Sequence, residues 1–386
     1  TGYAASGCYL HPEDPTLAYV GPVELTLDHA RKTWDVRSVL WVPDTAEGEG
    51  FEVDPLVHSS CQRLDTMVEG RLRRFLYSPS GGVNTAHVLY METDQNGWQP
   101  VAAIGLVNSI SGRVQRYPEK IFEMPEGDFA GLSPYDGYFW NDANGDGKVQ
   151  RDECIIIPAG TGSSNRQRGL PLEAGWGSRV GPDLVFYTGG LTRYRPLRFT
   201  AAGAPVYGPE GMERFGPEEN GDLLPVPQEN LLLCLSFKGY AGRTTGMLGI
   251  DDRSGDILWS YPNLYPGVHG SHNATMPKPG LLIGPLKICG VAHVNEQVGR
   301  VFVLRGNLGQ DFFMTTDGLY VGALFQDGRL PGESLPEKEE SLAGMPMEGF
   351  SHGSEPFNGW FGKQSDGKIR ETTGFPREAV MILEIK

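Results

Sequence analysis

The twelve residues Asp142-Ala-Asn-Gly-Asp-Gly-Lys-Val-Gln-Arg-Asp-Glu153 carry the strongest chemical signal in the chain. A hard divalent cation such as calcium takes about six to eight oxygen ligands. A loop of this length supplies them from alternate positions and a terminal glutamate, with a glycine at the sixth position for the sharp turn. Here the ligand positions are Asp142, Asn144, Asp146, the backbone carbonyl of Lys148, Gln150 and the two-oxygen ligand Glu153, and Gly147 stands at the turn. Val149 is expected to pack inward and fasten the loop to the sheet beneath it. Ca2+ is therefore the expected cofactor.

A weaker constellation is formed by histidines. His269 and His272 lie in a loop rich in Gly and Pro, and His352 and Glu355 lie in another loop some way downstream. Imidazoles and a carboxylate converging on one end of a repeat fold suit either a transition metal or acid–base catalysis. Histidines bonding loop carbonyls are the alternative. His293, on an apolar run, is expected in the core or between repeats. Trp176, Tyr265 and Trp360 are candidates for a sugar-stacking face, with burial as the competing role. Forty-eight acids scattered through the chain single out no glycosidase-type pair. Nucleophile-elbow, P-loop and dinucleotide motifs are absent from the sequence.

These residues need a scaffold, and the segments beside the calcium loop indicate its kind. Gly137-Tyr-Phe-Trp140 and Cys154-Ile-Ile-Ile157 read as strands, whereas calcium sensors flank such a loop with helices that open on binding. A loop pinned between strands is stiffened by its ion, so the expected role is structural. Turn dipeptides flanked by apolar residues recur at Asn96-Gly97, Asp146-Gly147, Ala202-Gly203, Ser254-Gly255, Asp317-Gly318 and Asp366-Gly367, with glycine-to-glycine steps of 50, 56, 52, 63 and 49 residues. That step matches one four-stranded propeller blade of about 40–50 residues. Between these turns His87–Tyr90, Leu184–Tyr187, Gly246–Ile250, Val301–Leu304 and Val380–Leu383 are short and apolar. They suit strands covered on both faces. The expected fold is an all-β propeller of about seven blades, with six or eight open, formed by residues 1–386 as a single domain. A large β-sandwich is the alternative.

With 53 Gly and 29 Pro, the 386 residues favour turns over long helices, and no apolar run is long enough to span a bilayer. The net charge of −15 repels phosphate backbones, and Arg71-Leu-Arg-Arg74 lies among strand residues, so nucleic acid is not an expected partner. The five cysteines, at 8, 61, 154, 234 and 289, show no metal or redox spacing and leave one disulfide, two or none open. No signal peptide is visible, and the Thr1-Gly-Tyr start reads as a processed or trimmed end.

Asp251-Asp-Arg-Ser-Gly-Asp-Ile-Leu-Trp-Ser-Tyr261 resembles the repeat of PQQ-like, quinoprotein-type propellers, with weaker echoes at Phe199–Tyr207 and Phe361–Ile369. The stretch from Gly267 through Arg305-Gly-Asn-Leu-Gly-Gln-Asp311 to Val321 is similar to the C-terminal half of secreted bacterial propeller proteins with such repeats. The resemblance implies a propeller fold and a secreted or periplasmic location. Quinone-dependent members of that family use two adjacent cysteines, which this chain lacks, so PQQ is not expected. The expected function is a calcium-stabilised binding or scaffold module for carbohydrate or another protein. The alternative is a glycan-degrading hydrolase or lyase centred on His269, His272 and His352. The terminal run Ala379–Ile385 is expected to pair within a blade and help close the fold.

Overall fold

The structure, a computed structural model, describes residues 8–20, 23–39, 62–79, 86–93, 97–110, 127–159, 179–188, 192–214, 222–237, 244–266, 268–331, 349–350, 359–374 and 380–385. Among these the only helices are 3-10 turns; the rest of the regular structure is strand. No described helix is long and apolar enough to cross a membrane.

The first sheet holds β1 (Cys8–Leu10), β2 (Leu17–Val20), β3 (Val23–Asp28) and β4 (Thr33–Val39) in chain order. An antiparallel meander follows, of β5 (Gln62–Val68), β6 (Arg71–Pro79), β7 (His87–Glu92), β8 (Trp98–Leu106), β9 (Gly137–Asn141) and β10 (Cys154–Ile157). Shorter strands come next: β11 (Arg179–Val180), β12 (Phe186–Thr188), β13 (Thr192–Tyr194), the hairpin of β14 (Arg198–Phe199) and β15 (Pro205–Val206), and β16 (Met212–Arg214), which pairs with β13. A four-stranded meander is then built from β17 (Leu223–Val226), β18 (Leu231–Phe237), β19 (Thr244–Asp251) and β20 (Ile257–Pro266). Another runs through β21 (Pro285–Asn295), β22 (Gly299–Gly306), β23 (Asp311–Thr315) and β24 (Tyr320–Leu324). Its β21 edge carries β25 (Trp360–Lys363), β26 (Ile369–Gly374) and β27 (Val380–Ile385).

Apolar sequence runs become strands where both faces are covered. Val301–Leu304 on β22 and His87–Tyr90 on β7 are buried at every position, which an alternating strand with one wet face would not be. The tight turns at Ala202-Gly203, Ser254-Gly255, Asp317-Gly318 and Asp366-Gly367 each join adjacent strands, as their residue types require. Two expectations change. Asp146-Gly147 lies inside the long β9–β10 connection instead of forming a two-residue turn, and the strand expected at Leu184 begins at Phe186. Leu184 itself has φ +61° and closes a turn onto Gly181, which removes it from the ladder.

The chain divides into two compact units, one of Thr1–Val20, Leu25–Asp35 and Glu218–Lys386, the other of Gly21–Glu24 and Val36–Pro217. In the second, Phe75, Tyr77, Leu89, Ile104, Phe139, Phe186, Tyr194 and Tyr207 form the core. In the first, Leu233, Leu235, Met247, Ile288, Phe302, Leu304, Phe312 and Met314 do so.

Within the first unit the parallel link of β21 to β25 is a single pair, Gly290 to Phe361, and a side chain at Gly290 would collide with the Phe361 carbonyl. β27 pairs along its length with β26, as its apolar sequence predicts. Ile382 packs on a cluster with Cys8, Leu10, Ala18 and Trp360, and Ile385 on one with Cys289, Val303 and Phe361. The residues around β1 are also fastened to this sheet. Thr372 donates its hydroxyl to the Cys8 carbonyl at 2.7 Å, and the Gln364 amide donates to the His11 carbonyl at 2.8 Å.

Candidate metal centre

Strands β9 and β10 pair antiparallel with Cys154 opposite Trp140, so the twelve residues 142–153 are the connection of one hairpin. The flanks are strands, as the sequence predicts. β8 runs beneath the start of the loop, and the Asp142 amide donates to the Val101 carbonyl at 3.0 Å. Val149 is 4% exposed and anchors the loop's far side, as position eight requires.

Within the loop, each short polar side chain accepts from amides ahead of it. Asp142 Oδ1 accepts from Gly145 N at 2.9 Å and its Oδ2 from Gly147 N at 3.2 Å. Asn144 Oδ1 accepts from Asp146 N and Asp146 Oδ1 from Lys148 N, each at 2.8 Å. These bonds wind the backbone into successive Asx turns, which Asp and Asn favour and which draw side-chain oxygen toward the chain. The winding needs left-handed backbone at Gly147, where φ is +70° and a Cβ would stand 2.6 Å from Gln99 Cγ. Glu153 ends the loop on a 3-10 turn and reaches back to its beginning. Its Oε1 accepts from Ala143 N at 3.0 Å and Asn144 N at 3.1 Å, and its Oε2 from Trp140 Nε1 at 3.0 Å.

The charge balance favours a cation. Asp142, Asp146, Asp152 and Glu153 stand against Lys148 and Arg151, four acids to two bases within the loop, an excess that one divalent ion offsets. Asp142 is only 6% exposed, and burial, reinforced by the neighbouring Glu153 charge, pushes its carboxyl above the usual range; bonds from Gln99, Gly145 and Gly147 work against that rise. Asp146 is exposed. Its slight desolvation is outweighed by bonds from Lys148 N and Gln150, which hold its carboxyl below the usual range. Gln150 uses its amide nitrogen on Asp146 Oδ2 at 2.8 Å, while its Oε1 is buried with no hydrogen-bond partner. An orphaned oxygen at the ninth loop position fits a ligand or a water held by the ion. The residues therefore fit calcium in type, spacing and charge. As placed, no three His, Cys, Asp or Glu side chains among the described residues converge tightly enough to hold a metal. Asp142, Asp146 and Glu153 are thus not drawn around one point in this structure, and the remaining ligand positions are Asn144, Gln150 and the Lys148 carbonyl.

Gln99 is the partner that sequence reading misses. It lies on β8, 43 residues before Asp142, and donates through Nε2 to Asp142 Oδ2 at 3.0 Å and to the Gly145 carbonyl at 2.9 Å. Nothing local in the sequence marks it; only the β8–β9 register brings it under the loop.

His269 and His272 fall on the 3-10 turn Val268–Asn273, and the His272 side chain is exposed. Between them Ser271 is buried and accepts from the Asn307 amide at 2.7 Å. His352 and Glu355 lie outside the described residues, as do Cys61 and Trp176. His293 is not a core residue: its side chain is 38% exposed beside Glu296 on the open end of β21. Trp360 lies on β25, buried against Cys8, Leu10 and Ala18 with its ring edge-on to Tyr9, so burial and not a sugar-stacking face describes it. Tyr265 lies on β20. No disulfide joins Cys8, Cys154, Cys234 and Cys289, all of them buried, and burial pushes the Cys8 and Cys154 thiols up to about 12.

No protein-family model matches the chain, and no curated protein sequence matches it. Among solved structures several are similar to it over most of its length at low identity. BamB from Moraxella catarrhalis is 10% identical over 99% of this chain and 85% of that one, with a TM-score of 0.36. An auxiliary nutrient binding protein from Bacteroides thetaiotaomicron is 10% identical over 100% and 70%, with a TM-score of 0.41. A chain of the mitotic checkpoint complex is 6% identical over 99% and 87%, with a TM-score of 0.40.

Proposed function

We propose that this chain is a calcium-stabilised β-propeller module that binds carbohydrate or another protein in a secreted or periplasmic setting. Asp142, Asn144, Asp146, the Lys148 carbonyl, Gln150 and Glu153 would hold one Ca2+, which ties the two ends of the β9–β10 connection together. The observation that carries this is the wound loop itself: every ligand position is filled by an oxygen donor, and Glu153 folds back on Ala143 and Asn144. An all-β chain whose strands follow one another in mostly antiparallel sheets, two of them four-stranded meanders in chain order, supports the propeller. Two consequences follow from strand flanks. The ion has no helix pair to open, so its role is structural. A loop of extracellular type, with affinity of about 0.1–1 mM, is filled outside a cell and not in a resting cytoplasm.

Trp140 provides a direct test, because its indole donates to the Glu153 carboxylate at 3.0 Å and so stands beside the proposed ion. Exciting tryptophan in the presence of Tb3+ should give sensitised terbium emission that Ca2+ displaces. Absence of calcium-displaceable emission would contradict the site. The partner is tested by retention on immobilised polysaccharides with calcium present and after chelation.

A further inference from the structure

Arg305 on β22, Asp311 at the start of β23 and Glu371 on β26 are all fully buried. The guanidinium forks onto Asp311, with Nε to Oδ1 at 2.8 Å and Nη2 to Oδ2 at 3.0 Å. Nη2 also reaches Glu371 Oε1 and the Thr372 carbonyl, each at 3.1 Å. Among the described residues this guanidinium thus pairs with two carboxyl groups, which also meet each other side chain to side chain. The Cys289 thiol on β21 also acts on Arg305. Arg370, next to Glu371 in sequence, is engaged by Gln364 and Asp366. Two buried carboxylates sharing one guanidinium carry an excess negative charge, which uptake of a proton removes.

We propose that the Asp311–Glu371 pair holds one proton in the folded protein, leaving Glu371 a neutral acid, and that losing it loosens β26 from β22 and β23. Burial, followed by the Asp311 charge, pushes the Glu371 carboxyl well above the usual range, which agrees in direction. The consequence reaches further than one strand pair. Thr372 takes the Arg305 bond on its carbonyl, while its hydroxyl accepts from Trp360 N at 2.9 Å and donates to the Cys8 carbonyl at 2.7 Å. The proton therefore sits one residue from the bonds that fasten β1 to this sheet, and the cluster acts as a pH-sensitive latch.

The sign follows from linkage. A carboxyl whose folded pKa is raised contributes stability that is complete below its unfolded pKa and is lost as pH rises through the folded value. Across that window the folded protein holds one proton more than the unfolded chain, so its folding constant falls tenfold per pH unit relative to a variant lacking the group. Denaturant unfolding of the parent and of Glu371→Gln should be compared from pH 4.5 to 9. The amide mimics the neutral acid, so the parent should lose up to tenfold per unit against it. Parallel profiles would overturn the proposal. Infrared spectroscopy of the unsubstituted protein supplies a readout independent of whether the variant folds. A protonated-carboxyl band should be present at neutral pH and vanish on alkaline titration; its absence at neutral pH would equally overturn the proposal.

Discussion

The loop 142–153 and the cluster of Arg305, Asp311 and Glu371 both gather more carboxylate than fixed positive charge, and they differ in their access to water. In the loop Asn144 and Asp146 are exposed, so an ion can arrive from solvent and the excess acts as an invitation to bind. In the cluster all three side chains are fully buried, so the excess must be met by a fixed guanidinium and a proton. On the proposed reading, solvent access, more than acid count, decides whether a carboxylate group would take a metal ion or a proton.

The sharpest way to break that comparison is to remove the buried cation. Arg305→Met leaves two carboxyl groups without their partner and should cost about 3–5 kcal/mol, read from denaturant unfolding. A loss below about 1 kcal/mol would mean that the cluster relaxes toward water. Removing the ion proposed for the loop comes next. Calcium bound only to the folded state at about 100 to 1,000 times its dissociation constant adds roughly 2.7–4.1 kcal/mol, so chelation should lower Tm. An unchanged melt after exhaustive chelation would leave the loop a solvated hairpin.

Gly147→Ala tests the winding itself, since it places a side chain at φ +70° and against Gln99. A cost of about 1–3 kcal/mol is expected with and without calcium. The smallest effect is expected from Lys368→Ala, which breaks a pair with Glu384 whose side chains are 50% and 36% exposed. Its contribution should lie within about 0–1 kcal/mol and fall with added salt.

Local chemistry is what the sequence made legible. Apolar runs at His87–Tyr90, Gly246–Ile250, Val301–Leu304 and Val380–Leu383 announce strands, and at His87–Tyr90 and Val301–Leu304 burial on both faces needs no polar alternation. The strand flanks of the loop 142–153 are readable for a similar reason, since both are short apolar runs. What crosses the chain was hidden. Gln99 meets Asp142 over 43 residues, Arg305 meets Glu371 over 66, and Thr372 meets Cys8 over 364; each depends on strand register that no local pattern encodes. Leu184 failed for a different reason, because an apolar residue can sit in a left-handed turn when its neighbours bury it.

Calcium titration by isothermal calorimetry, on the parent protein and on Glu153→Gln, tests the central claim most directly. The substitution keeps the side chain's shape and removes the charge of the two-oxygen ligand. The account predicts one ion per chain in the parent and an affinity at least about tenfold weaker in the variant, equivalent to about 1.4 kcal/mol. Equal affinity in the two proteins, or no heat of binding in the parent at millimolar calcium, would contradict it.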